Sequence, residues 1–558
     1  MLLAVQETAG SIPAMMSYFP VGKMPRPEQQ QAIEEIDAKF QSGSKIVAFQ
    51  GPTGSGKSYV GMTFARQATA SAQNVHLLTA QRVLQSQYLN DFRPPEIEAI
   101  MGRSNYQCTF DDIPRDASKG YCRRVEHAAL IPECLKFGTV EQAMRFELPP
   151  DAHICPYFEQ LTKSINAPVT LYNFQSFLFQ QRLGRFGIRD LMILDECHNA
   201  ENVLLQFVQV VISDTALKSV GVRLDLTLRT PEAVLAWLDR EQVEKKIKDA
   251  LGGAAETEDV ATGFTPEETD RLRGLLVKIK DMRRFFDMTE WVVDVTEDGV
   301  EGQSDRTRKL RVRPVFVSPF AKELVFSKAK RVLAMSATIL SPGIWAKNLG
   351  LSQNAVAYVD APCPFPIKNR PIILEYAGDM GWKNQPETLP KLYAAIERIL
   401  GRHRGERGII HAHSERLCKL IIEKIRSPRF IHLDQFKMRD KTALLKAHET
   451  RPDSVIVGSG FHEGIDLKDD LARFAIIAKV PWPMMEDSFV KARIAKDKWF
   501  MAYQTSLKFL QSAGRVIRHK DDWAFTYILD SGFEHFMKQA AWLLPTWFKD
   551  AIQKPRLS

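Results

Sequence analysis

Lys45-Ile46-Val47-Ala48-Phe49-Gln50, running into Gly51-Pro52-Thr53-Gly54-Ser55-Gly56-Lys57-Ser58, is the stretch whose reading decides the fold. A short apolar, β-rich run empties into a glycine-rich turn, and the spacing that follows predicts a helix over residues 59–69. Strand, loop and helix in that order are the context the pattern G-x-x-x-x-G-K-[ST] demands. Gly51, Thr53, Gly54, Ser55 and Gly56 would let backbone N–H groups turn inward around phosphate oxygens. Lys57 would neutralise the β and γ phosphates, and Ser58 would offer its hydroxyl to Mg²⁺. ATP and Mg²⁺ are the ligands this implies; the bland alternative is a chance glycine turn.

Working outward, residues 26–40 carry Ile33, Ile36 and Phe40 at helical spacing, and residues 75–78, 168–172 and 191–194 read as short buried strands. Strands alternating with helices imply a parallel sheet covered on both faces. Residues 214–312 read differently, with charged helical stretches at 240–251 and 266–286, as an inserted, largely helical domain. The βα pattern then returns at 331–335, 408–411, 454–458 and 474–480, the strands of a second sheet. Residues 252–262 resemble a flexible loop, and no repeat of solenoid period is present.

Leu191-Met192-Ile193-Leu194-Asp195-Glu196 puts two carboxylates at the end of an apolar strand, where α/β sheets present ligands. An acidic strand end is often only a solvated turn. Paired with the phosphate loop, it reads as a Walker B arrangement in which Asp195 holds Mg²⁺ and Glu196 polarises the attacking water.

Asp195-Glu196-Cys197-His198 resembles the D-E-x-H box of the superfamily 2 helicases, and other segments agree in the family's order. Arg26 and Gln29 resemble the upstream adenine-recognising element, Leu78-Thr79-Ala80-Gln81 motif Ia, and Ser336-Ala337-Thr338 motif III. Gly458-Ser459-Gly460-Phe461-His462-Glu463-Gly464-Ile465-Asp466-Leu467 resembles motif V, with Glu463, Gly464 and Asp466 as candidate nucleotide contacts. Gln511-Ser512-Ala513-Gly514-Arg515-Val516-Ile517-Arg518 resembles motif VI. Its arginines, three residues apart, are expected on one helical face, where Gln511, Arg515 and Arg518 reach the γ-phosphate across a domain cleft.

Cys108, Cys122, Cys134 and Cys155 fall in one window, while three further cysteines, Cys197, Cys363 and Cys418, lie elsewhere and read as small apolar residues. Such clustering asks for a ligand, but the spacing alone leaves zinc and iron–sulfur undecided. The flanks, Gly102-Arg103-Ser104-Asn105-Tyr106-Gln107 and Pro156-Tyr157-Phe158, resemble the cluster domain of the XPD/DinG group. That resemblance implies a [4Fe–4S] cluster on the four thiolates. Lys119, Arg123 and Arg124, interleaved with Tyr106, Tyr121 and Tyr157, suit backbone neutralisation and base stacking, or else an ordinary solvated surface.

The resemblance runs from residue 26 to about 533 and implies an α/β architecture. Two RecA-like parallel-sheet domains are expected, with a small iron–sulfur cluster domain and a helical arch domain inserted in the first. The expected boundaries are 1–100, 166–213 and 313–345 for the first RecA-like domain, 101–165 for the cluster domain, 214–312 for the arch and 346–558 for the second RecA-like domain. The arch is short, no appended nuclease-like domain is read, Pro52 stands in the loop and Cys197 in the box; none of these removes a group that touches phosphate or metal. The resemblance implies an ATP-dependent helicase moving 5′ to 3′ on single-stranded and forked DNA, with RNA as the alternative strand and a monomer as the favoured state.

Composition bounds these expectations. The 558 residues exceed one hydrophobic core, and 45% hydrophobic with 25% charged residues describes a globular chain. A net charge of +8 suits a polyanionic partner without requiring one. Residues 1–19 lack a basic leader and no apolar run approaches a membrane span, so a soluble, cytoplasmic protein with no membrane partner is expected. Three rival readings stay open. One is a single-stranded nucleic-acid translocase or protein-displacing motor with little unwinding; another is a redox-responsive nucleic-acid binding module. The third, a P-loop kinase or metabolic NTPase, leaves the cysteines and residues 511–518 unexplained.

Overall fold

The computed structural model describes residues 14–94, 96–109, 114–120, 155–251, 264–298, 307–461, 465, 467–514 and 516–553. Strands are β1 (Ile46–Gln50), β2 (Val75–Thr79), β3 (Glu98–Ile100), β4 (Val169–Asn173), β5 (Arg189–Asp195), β6 (Val210–Ser213), β7 (Trp291–Asp298), β8 (Thr307–Pro314), β9 (Ala329–Ser336) and β10 (Val356–Asp360). They continue with β11 (Ile372–Gly378), β12 (Gly408–His411), β13 (Phe430–Ile431), β14 (Val455–Gly458), β15 (Phe474–Ile477), β16 (Phe525–Asp530) and β17 (Ile552–Gln553).

The first sheet has the order β10-β1-β9-β5-β2-β4-β3 and is parallel throughout. Every residue of β1 and β2 is buried, as strands covered on both faces must be, which is why they read as continuous apolar runs. The second sheet, β13-β14-β12-β15-β16-β11-β17, is also parallel. The α/β expectation of two parallel-sheet lobes therefore holds.

Two expectations are corrected. Strand β10 pairs with β1, Ile46 opposite Val356 through Gln50 opposite Asp360, so the first lobe runs past residue 345 to residue 360. Nothing in the sequence of 356–360 says which sheet it joins; β1 would be an edge strand without it. The inserted segment is also not only helical. Helices Pro231–Arg240, Val243–Ala250 and Pro266–Arg284 pack on an antiparallel sheet β6-β8-β7, around the fully buried Trp237. Helix Pro266–Arg284 starts on a capping box between Thr265 and Glu268. The loop read at 252–262 lies outside the described residues.

The lobes are joined covalently once, through residues 361–371, which carry proline at 362, 364, 366 and 371. No helix among the described residues is long and apolar enough to cross a membrane.

Candidate active site

The loop 51–58 links β1 to helix Lys57–Ala70. Gly54 and Gly56 have φ of +80° and +78°, a left-handed conformation that side chains resist. Two neighbours fix the loop from outside. Arg26 Nη1 donates to Gly54 O at 3.0 Å, and Gln29 Nε2 donates to Ser55 O at 3.0 Å while Gln29 Oε1 accepts from Arg26 N at 2.9 Å. With these carbonyls held outward, the adjoining N–H groups are left for an anion. Arg26 and Gln29, expected to recognise adenine, thus brace the phosphate loop. Lys57 is 8% exposed and donates from Nζ to Gly51 O at 3.1 Å.

Strand β5 delivers Asp195 beside this loop, 7% exposed, with its Oδ2 accepting from Tyr88 Oη at 3.1 Å. Burial first, and the neighbouring Glu196 second, raise the Asp195 carboxyl to about 6, against the opposing pull of Lys57. Asp195 is buried, Glu196 stands partly exposed beside it, and the Ser58 side chain lines the same cavity. The donor set fits a hard divalent cation, with Ser58 and Asp195 as the residues that would hold it. Tyr88 carries no motif, and only its place after motif Ia could have pointed to it. Cys197 is buried between these acids and the core, which push its thiol far up, and its carbonyl accepts from Trp345 Nε1 at 3.0 Å.

A line of hydrogen bonds runs from Glu196 into the second lobe. Ser336 Oγ, at the end of β9, donates to Glu196 Oε2 at 3.3 Å and lies 2.6 Å from His198 Nδ1, while His198 Nε2 meets the side-chain amide of Gln511. An amide N–H₂ only donates, so His198 Nε2 accepts and Nδ1 carries the proton toward Ser336. The direction is uniform: Gln511 to His198, His198 to Ser336, Ser336 to Glu196. Gly51 N donates to Ser336 O at 3.0 Å, tying the phosphate loop to the same serine.

The expected arrangement of motif VI needs correction. Gln511 sits on helix Phe500–Ala513, but the helix stops there and Gly514 caps it, so Arg518 is not on a helical face. Val516 and Ile517 are buried against the second sheet and draw the chain off the helix axis. Arg518 N then donates to Asp522 Oδ2 at 3.0 Å and its Nη2 to Ile465 O at 3.3 Å. Its backbone abuts the phosphate loop: a methyl placed on Gly54 would stand 2.1 Å from Arg518 O. The side chains of Arg26, Lys57, Glu196, Gln511, Arg518 and Trp547 meet around a cavity of about 510 Å³. Trp547, from the C-terminal helix Thr546–Asp550, was not foreseen. Glu463, Gly464, Asp466 and Arg515 lie outside the described residues.

Of the four clustered cysteines, Cys122 and Cys134 lie outside the described residues, as do Tyr121, Arg123 and Arg124. Cys108 and Cys155 are buried and near enough for their charges to interact. Cys155 caps helix Pro156–Asn166, with the backbone N–H groups of Tyr157 and Phe158 turned to its sulfur, and burial raises its thiol. A methyl on Gly120 would lie 2.7 Å from Cys108 Sγ, so glycine there keeps the space beside the sulfur open. Two converging sulfurs, one at a helix N-terminus, fit thiolate ligation of a metal centre.

A second cavity, about 820 Å³, lies between the first lobe, the Cys108 segment and helix Pro266–Arg284. Arg103, Arg182, Arg273 and Lys278 line it together with Tyr157 and Phe179. Arg103 stacks 4.9 Å from the Tyr157 ring centre, and Lys119 bridges to Glu267 at 2.9 Å, joining the cysteine segment to the insertion.

Comparison with known proteins agrees with this geometry. Residues 400–551 match the helicase C-terminal domain family and residues 22–227 the family described as type III restriction enzyme, res subunit. The chain is 22% identical over 600 aligned positions to the ATP-dependent DNA helicase YoaA of Escherichia coli (strain K12), covering 91% of this chain and 92% of that protein. A solved XPD helicase superposes with a TM-score of 0.60 at 14% identity, covering 93% of this chain and 98% of the other. Xpd4 of S. tokodaii does so with 0.53 at 14%, covering 95% and 99%. In motif order, two-lobed fold and full-length similarity, the chain is similar to the XPD/DinG-like helicases of superfamily 2.

Proposed function

We propose that this chain is an ATP-dependent DNA helicase that moves 5′ to 3′ on single-stranded DNA, opens forked duplexes and works as a monomer. The observation that carries the reading is the cleft, where Lys57, Asp195 and Glu196 of the first lobe face Gln511 and Arg518 of the second. A nucleotide lying there would touch both lobes at once. Lys57 would hold the β and γ phosphates, Ser58 and Asp195 the Mg²⁺, and Glu196 would orient the attacking water. Arg518, with Arg515, would stabilise charge on the transferring phosphoryl group only when the lobes close. Glu463, Gly464 and Asp466 would complete the second lobe's face.

The cavity of about 820 Å³ supports the DNA half of the reading, since long cations beside aromatic rings hold a strand by phosphate contact and stacking. Cys108, Cys122, Cys134 and Cys155 would hold a [4Fe–4S] cluster, which when bound cross-links a segment with little apolar material of its own. The residues around that segment would meet the duplex junction and direct one strand inward.

ATP hydrolysis with and without single-stranded DNA, beside strand separation on duplexes carrying a 5′ or a 3′ tail of DNA or RNA, tests the reading. Stimulated hydrolysis and unwinding from a 5′ DNA tail are expected. Hydrolysis indifferent to polynucleotide overturns the proposal, and vigorous stimulated hydrolysis without strand separation leaves a translocating motor instead.

A further inference from the structure

Helix Ser488–Lys496 of the second lobe packs against the first lobe and the insertion, beside helix Phe500–Ala513, whose Tyr503 Oη donates to Ile339 O at 3.1 Å. Its Arg493 is fully buried and holds three partners: Nη1 donates to Glu201 Oε1 at 2.6 Å and Val315 O at 3.0 Å, and Nη2 donates to Asn348 Oδ1 at 3.2 Å. Asn348 Nδ2 closes the ring on Glu201 Oε2 at 2.8 Å, and Phe316 and Phe500 lie 4.6 and 4.9 Å from the guanidinium. Around this core, Asp487 accepts a fork of two bonds from Arg313, at 2.7 and 3.1 Å, Lys496 pairs with Glu290 at 2.6 Å and Asp497 with Lys347 at 3.8 Å.

Arg493 and its three partners come from three bodies. Glu201 is on helix Ala200–Val208, which leaves the Asp195–Glu196 strand end, and Asn348 ends helix Pro342–Asn348, downstream of Ser336. Val315 follows β8 of the insertion, and Arg493 itself belongs to the second lobe. A buried ion pair recovers little net stability after desolvation, so its value here is positional. A guanidinium also fixes direction, since its planar fork satisfies several acceptors at once where an ammonium cannot.

We propose that helix Ser488–Lys496 is the joint about which the lobes turn, and that Arg493 is a positioning residue coupling nucleotide-driven closure to the insertion that flanks the strand channel. The inference rests on the ATP-driven motor proposed above. Glu201 ties the joint to the segment carrying the catalytic acids, and Val315 ties it to the insertion, so a turn of the second lobe reaches both together.

The test is the double variant Arg493→Met/Glu201→Leu, which removes both charges and leaves no buried ion unpaired. Its DNA-free ATP hydrolysis is expected near wild type and its melting temperature somewhat lower, because buried Asn348 loses both side-chain partners, while stimulation by single-stranded DNA falls about fivefold or more and unwinding falls with it. Recovery of wild-type stimulation and unwinding in the folded double variant overturns the joint. Should that variant not fold, Arg493→Lys decides: folded with reduced stimulation, it upholds the joint, and wild-type stimulation overturns it. A wild-type enzyme that shows no DNA stimulation strikes the helicase reading and this inference alike, whereas stimulated wild type with unaffected variants strikes only this inference.

Discussion

The two large cavities are built on opposite principles. The phosphate side of the nucleotide cleft is shaped by backbone: two left-handed glycines and carbonyls pinned by Arg26 and Gln29. The larger cavity against helix Pro266–Arg284 is shaped by long side chains, among them Arg182, Lys278 and Lys280. Backbone holds a ligand whose geometry never changes, and phosphoryl transfer needs that preorganisation. Cations beside rings suit a ligand that must slide, because every nucleotide offers the same charge and a π-face. On the proposed function, chemistry and traction would fall to different materials within one chain.

If that contrast is sound, damage to the cleft should remove hydrolysis and spare strand binding. Lys57→Ala is expected to cut ATP hydrolysis by about 100-fold or more while single-stranded DNA still binds, as phosphate release and fluorescence anisotropy would report. Cys108→Ser should lower bound iron by about tenfold or more and reduce unwinding with it, yet leave ATP hydrolysis measurable; an absorbance spectrum with iron analysis checks this. Gly54→Ala forces a left-handed alanine against the Arg518 carbonyl, and a loss in kcat of roughly tenfold is expected. Gln511→Ala breaks the hydrogen-bond run at its interlobe step and should cost about fivefold in kcat, with KM for ATP little changed. The smallest effect is on the other cavity. Lys278→Ala with Lys280→Ala should flatten the slope of log binding constant against log salt by about 1.4 and leave DNA-free hydrolysis at its wild-type rate.

The parts written locally in the sequence were legible. Residues 46–58 need only their own order to become strand, turn and helix, and β5 announces its acids by ending on them. What depends on distant partners was not. The five residues of β10 form a half-exposed strand with no distinguishing pattern, and only pairing with β1 assigns them to the first sheet. The helical spacing of Arg515 and Arg518 ignored that Val516 and Ile517 have a core to enter. Tyr88, Trp547 and Arg493 belong to no short pattern; each matters because of a residue far along the chain, such as Asp195 at 3.1 Å from Tyr88 and Glu201 at 2.6 Å from Arg493.

The proline-rich stretch at residues 361–371 has a kinetic meaning. Fully extended, eleven residues reach at most about 40 Å, and prolines at alternate positions favour a stiff rod over a coil. The second lobe therefore never leaves the vicinity of the first, and its effective concentration there stays in the range of about millimolar however often the nucleotide is released. Each turnover begins from a partner already at hand, so binding energy goes into alignment, and dilution of the protein should leave the rate per molecule unchanged.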